Sequence, residues 1–131
     1  MRQPRGASAM IRDLGPVLGA ILLNVTAQLA IKLAGKAGPL PGFHLDRWHD
    51  WLGSQVVAWL FAGLVAYGMS FLLTTLAYRH NDLSLISPLM AGTIISLTVL
   101  AAWAFLAEPI GLTRMAGIVL IIGGIVLVSR R

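Results

Sequence analysis

Cysteine is absent from this chain, and acidic side chains are few: Asp13, Asp46, Asp50, Asp82 and Glu108 complete the set. Without cysteine there is no disulfide framework and no thiolate metal site. No carboxylate lies between Asp13 and Asp46, so an apolar helix in that interval holds no membrane-embedded acid. Charge of either sign is scarce. With 11% charged and 57% hydrophobic residues and a mean hydropathy of +0.81, the chain falls well short of the roughly one quarter charged residues of a soluble domain. The bilayer is the better solvent for it. His44, His49 and His80 lie outside the apolar stretches and have no ligand spacing, so no metal site and no cofactor are expected. The net charge of +5 raises the question of nucleic acid, but the basic residues are scattered over termini and loops and no nucleic-acid module is legible.

What the chain does have is four long apolar stretches, at about 14–33, 54–78, 83–107 and 112–128. A helix needs ~20 residues, with a range of roughly 17 to 25, to cross the hydrocarbon. The expectation is a single-domain, all-α integral membrane protein of four transmembrane helices. The first stretch follows Arg2, Arg5 and Arg12 but is too long for a signal core and lacks a small-residue cleavage site, so it reads as a retained helix. Residues 35–42 form a Gly/Pro-rich turn region. Residues 79–82 and 108–111 are tight links that favour antiparallel neighbours. The longer first connection places Trp48 and Trp51 among charges, which suits a short helix over 44–53 lying in the headgroup layer. Arg2, Arg5, Arg12, Arg79, Arg130 and Arg131 fall on one side of the membrane. Lys36, Arg47 and Arg114 fall on the other, with Lys32 at the boundary. The bias puts both termini in the cytoplasm.

Three polar residues interrupt the first stretch at four-residue spacing. Asn24, Gln28 and Lys32 fit within an arc of about 80° on a helix, bordered by Ala20 and Ala27. Lipid solvates such groups poorly, so they face protein, water or a ligand. Two readings stand for Lys32, a ligand contact or a snorkelling anchor; Gln28 and Asn24 either meet a ligand or bond another helix. Glu108 is either a helix-end carboxylate or the partner of Lys32 or Arg114, and Arg114 either binds an anion or anchors its helix. Asp82 precedes an apolar run as a helix cap does. Pro109 ends the third helix. Pro88 is either a hinge or a static early proline. In the last stretch Gly117 and Gly124, seven apart, make a smooth seam suited to a dimer interface. No nucleophile–base constellation or phosphate-cradling loop is present, so an enzyme is not expected.

The motif Gln28-Leu29-Ala30-Ile31-Lys32, together with Leu106-Ala107-Glu108-Pro109 and the run from Gly117 to Leu127, resembles the four-helix branch of the drug/metabolite transporter superfamily. That branch holds the small multidrug resistance exporters and the undecaprenyl-phosphate-aminoarabinose flippase subunits. The exporters' embedded glutamate falls here on Asn24, and their third-helix tyrosine and tryptophan fall on Leu85 and Pro88. An amide does not titrate, and no ring remains there for cation–π recognition. The chain is more similar to the flippase subunits in its Gln-x-x-x-Lys pattern, Pro88 and Glu-Pro. The resemblance implies a bacterial inner-membrane subunit that moves a polyprenyl-phosphate-linked sugar, as a homodimer or a heterodimer with a related small subunit. On that reading Lys32 attracts the lipid phosphate while Gln28 and Asn24 meet sugar hydroxyls. A small exporter of a cation or metabolite, or a non-transporting membrane scaffold, are the alternatives.

Overall fold

The computed structural model describes residues 7–40, 51, 53–80 and 82–129, with side chains from residue 14 onward except those of 80 and 129. Four helices account for nearly all of it: α1, Ala7–Ala37; α2, Gln55–His80; α3, Leu83–Leu106; and α4, Leu112–Ser129. Of the interfacial segment expected over 44–53, residues 44–50 and 52 lie outside the described residues.

Helix α1 is longer than its apolar stretch at both ends. It begins at Ala7, which makes Pro16 an interior proline, and it runs through Gly35 to Ala37. One glycine costs a helix only about 1 kcal/mol, too little to end a helix of this length. The stop comes at Gly38, whose φ of 135° is open to glycine and hostile to other residues, and Pro39 follows it.

Small residues at seven-residue spacing join α1 to α2. Ala20, Ala27 and Ala34 line one face of α1 and are essentially inaccessible. Val56, Gly63, Ser70 and Ala77 are the buried counterparts on α2. A Cβ added at Gly63 would lie 3.3 Å from the Ile31 side chain and 3.4 Å from the Ala27 carbonyl oxygen. The backbones therefore approach closely, as small-residue seams in membrane bundles permit. The Ser70 hydroxyl donates to the Ala20 carbonyl at 2.8 Å within this buried seam.

The remaining packing is uneven. Helix α1 also contacts α3, and α4 touches α3 alone among the described helices. Although α2 and α3 share a tight link, they meet only sparingly because α1 lies between them; connection length did not decide who packs with whom. Gly92 of α3 receives Ile121 and Ile125 of α4, a space that a Cβ would fill. The main core joins Val17, Ala20 and Ile21 of α1 with Ala77 of α2 and Ile86 and Met90 of α3. It sits at the end of the bundle that carries Asp82.

Asp82 holds the N-cap position of α3, and its carbonyl accepts from the N–H groups of Leu85 and Ile86. Its side chain makes no capping hydrogen bond, so the cap is one of backbone geometry. Several hydroxyls inside the helices donate four residues back, Thr26 to Leu22, Thr93 to Leu89 and Ser96 to Gly92, which leaves them nothing to seek from lipid. The buried Thr98 hydroxyl, by contrast, has no hydrogen-bond partner among the described residues.

Outward faces are apolar throughout: Phe61, Leu64, Phe71, Phe105, Leu120 and Leu127 are all largely exposed. A monomeric soluble protein does not present such contiguous patches. Leu14–Ala37, Gln55–Arg79 and Leu83–Leu106 are long and apolar enough to cross a membrane, and the apolar helix Leu112–Val128 is shorter. This is a small all-helical membrane protein.

Candidate functional site

The end of the bundle opposite the core carries a cluster of charged side chains. The last turns of α1 bring Lys32 and Lys36 there, the α3–α4 link brings Glu108, and the first turn of α4 brings Arg114. Lys32 Nζ lies 3.0 Å from Glu108 Oε1, with both side chains partly exposed. Two sequence motifs separated by most of the chain thus meet in one ion pair.

Local backbone geometry aims Glu108. Helix α3 ends at Ala107, a non-glycine residue in the left-handed region at φ 52°, ψ 33°. Its N–H and that of Glu108 both turn back to the Ala102 carbonyl, a Schellman-like closure normally made with glycine. The reversal carries Glu108 to the bundle end, and Pro109 forbids further helix.

The electrostatics are lopsided. Hydrogen bonding to Lys32, and then the Lys32 charge, hold the Glu108 carboxyl below its ordinary value of 4.5; partial burial opposes this, while Lys36 and Arg114 add smaller pulls in the same direction. Three cations therefore surround one carboxylate among the described residues. Lys36 suits the negative end of the α1 dipole, but Arg114 stands at the positive end of α4, where a cation is disfavoured. A charge that breaks a local rule marks a place where function is worth seeking. The cluster keeps Glu108 ionised, retains net positive charge, and presents it to whatever approaches that membrane face.

Below Lys32, Gln28 Nε2 donates to Asn24 Oδ1 at 2.9 Å, and both residues are half-buried. The two amides thus satisfy each other in part along α1, an arrangement that four-residue spacing permits. The Asn24 amide nitrogen and the Gln28 carbonyl oxygen lie outside that bond.

Two adjoining apolar grooves run along α1, and their walls do not include Asn24, Gln28 or Lys32. One, of about 330 Å³, lies among α1, α2 and α3, bounded by Leu29, Leu33, Trp59, Ala62 and Phe105. The other, of about 390 Å³, runs on between α1 and α3 to Leu22 and Leu97. Thr26, Leu29 and Phe105 belong to both. Val25 lines the second groove two turns below Lys32 on nearly the same face.

Pro88 and the glycines lie elsewhere. Pro88 is exposed within α3 at the core end, between the buried Ile86 and Met90. Gly117 and Gly124 are on α4, and among the described residues a Cβ at either would meet nothing within 4 Å. The seven-residue small seam that does organise the molecule, on α1 and α2, was readable in the sequence by the same spacing that drew attention to α4. Ala107 carried no signal, since alanine does not announce a left-handed cap.

Comparison with known proteins gives two relationships. The chain is 25% identical over 119 residues to the probable 4-amino-4-deoxy-L-arabinose-phosphoundecaprenol flippase subunit ArnE of Pseudomonas fluorescens (strain Pf0-1), covering 88% of this chain and 95% of that protein. The relationship is a distant one, to a small membrane transporter. It is also 31% identical over 68 residues, 52% of its length, to the uncharacterized protein y4nH of Sinorhizobium fredii (strain NBRC 101917 / NGR234), of which that match spans 58%. No family model matches the chain, and no solved structure matches it.

Proposed function

We propose that this chain is a subunit of a small membrane flippase that moves a polyprenyl-phosphate-linked sugar, such as undecaprenyl-phosphate-aminoarabinose, across the bacterial inner membrane. The observation that carries this reading is the Lys32–Glu108 pair at the head of the Asn24–Gln28 stripe, in a chain similar over most of its length to an ArnE subunit. Glu108 holds the place of an anion. An incoming lipid phosphate displaces it, meets Lys32 as a point charge and has Lys36 and Arg114 nearby. The sugar then meets the amides of Gln28 and Asn24, whose outward groups offer one donor and one acceptor side. A partly exposed site of this kind releases its ligand readily, as translocation requires.

In this reading all four helices span the membrane, both termini are cytoplasmic, and the cationic cluster faces the opposite side. Four helices are few to enclose a pathway, and a Cβ at Gly117 or Gly124 would meet nothing among the described residues; a homodimer or a heterodimer with a related small subunit would cover them. The protein acts without catalysis or a cofactor.

Binding of undecaprenyl phosphate to the purified protein in nanodiscs tests the reading, with Lys32→Ala and a quaternary ammonium drug alongside. Saturable binding that falls at least tenfold in Lys32→Ala is the expected outcome. Equal binding by both proteins would reduce Lys32 to an interfacial anchor, and preference for the drug would return the cation exporter to first place.

A further inference from the structure

We infer that the paired apolar grooves on α1 hold the isoprenoid chain of the lipid phosphate, as a chain-binding site separate from the headgroup site. The inference rests on the flippase reading and assigns the part of the ligand which that reading leaves unplaced. Three observations support it.

The first is continuity with charge. The grooves begin at Leu33 and Leu106, neighbours in sequence of Lys32 and near neighbours of Glu108, and Val25 carries the wall of the lower groove down the Lys32 face. An amphiphile with an anionic head at the cationic cluster meets the mouth of the groove with its first isoprene units.

The second is length. From Leu33 to Leu22 the grooves follow α1 for about 16 Å along its axis, close to half of a hydrocarbon core ~30 Å thick. The site extends from the headgroup end to mid-membrane, which is the depth one lipid chain occupies in its own leaflet.

The third is chemistry. Thr26 borders both grooves, and its hydroxyl is already bonded to the Leu22 carbonyl at 2.9 Å. The walls are otherwise leucine, valine, alanine and aromatic side chains. Apart from the Trp59 indole N–H, such a surface gives a sugar or a phosphate little to bond and receives a branched hydrocarbon well. Because α2 and α3 scarcely meet, the groove opens sideways into lipid, and a long chain enters without passing through an enclosed pore.

The test uses the full chain in nanodiscs of zwitterionic lipid. Undecaprenyl phosphate is compared with isopentenyl phosphate, which has the same head and a single isoprene unit. Ala62 and Ala104 line the grooves and are exposed, so Ala62→Phe and Ala104→Phe fill them without entering the buried seam. Each substitution is expected to weaken undecaprenyl phosphate about tenfold and leave isopentenyl phosphate unchanged, whereas Lys32→Ala weakens both. Independently of any variant, a diazirine-bearing undecaprenyl phosphate should crosslink within residues 22–33, 59–62 and 97–106 of the wild-type protein. Undiminished affinity in both phenylalanine variants, with crosslinks spread over α4 and the part of α2 beyond residues 59–62, would overturn the groove and leave the headgroup site standing. Absence of Lys32-dependent binding for either phosphate would overturn the flippase reading and the groove with it.

Discussion

At Ala107 a single residue sets the direction in which Glu108 points. An L-residue in the left-handed region costs roughly 1–2 kcal/mol, and glycine removes most of that cost. Ala107→Gly should therefore stabilise the protein by about 1 kcal/mol in detergent unfolding, with the Lys32–Glu108 pair retained. The pair itself has a pH signature. Because Lys32 lowers the Glu108 pKa in the folded state, its contribution is fully present above the ordinary carboxylate value and is lost as pH falls through the lower, folded one. Distances between spin labels on the ends of α1 and α3 should hold steady at neutral pH and lengthen only below about pH 4.5, and Glu108→Gln should abolish that transition. Much of this was legible in the sequence. The four-residue spacing of Asn24, Gln28 and Lys32 is a helix-face statement that needs no tertiary structure, and the pairing with Glu108 was one of a few choices open to a lone acid at a membrane boundary. The Asn24–Gln28 bond was not legible, because spacing allows such a bond without requiring it.

Among elements, the α1–α2 seam is the structural foundation of the site, since it fixes the face of α1 that carries the stripe. Gly63→Val should drive side-chain atoms into Ile31 and the Ala27 carbonyl and cost about 1–3 kcal/mol. Ser70→Ala should cost less, about 0.6 kcal/mol for a lost interhelical hydrogen bond in a membrane protein. Thermal unfolding in detergent resolves the order of the two, and a larger loss for Ser70→Ala would contradict the close-packed seam. Helix positions followed from hydropathy because lipid demands long apolar runs whatever their partners. Partner choice did not. The short link before Leu83 suggested that α2 and α3 pack together, yet alanines on α1 accept α2 more closely than any leucine face would. Likewise Gly35 marked a turn in composition, but the chain turns at Gly38, where φ is positive.

Across the whole molecule, packing is polarised. The core lies at the Asp82 end, while the grooves open toward the end that holds the Lys32–Glu108 pair. On the proposed reading, such an arrangement presents an anion site at one end of the bundle and an apolar groove for a chain beside it, and α1, held between two neighbours that barely touch, contributes to both. The central claim is that Glu108 occupies an anion site rather than serving as a structural brace. The most direct measurement is the affinity of Glu108→Gln for undecaprenyl phosphate, set against that of the wild type under the same conditions at neutral pH. If the carboxylate competes with the lipid phosphate for Lys32, the variant should bind several-fold more tightly. Unchanged or weaker binding by Glu108→Gln would contradict that role and leave the pair as a clasp between α1 and the end of α3.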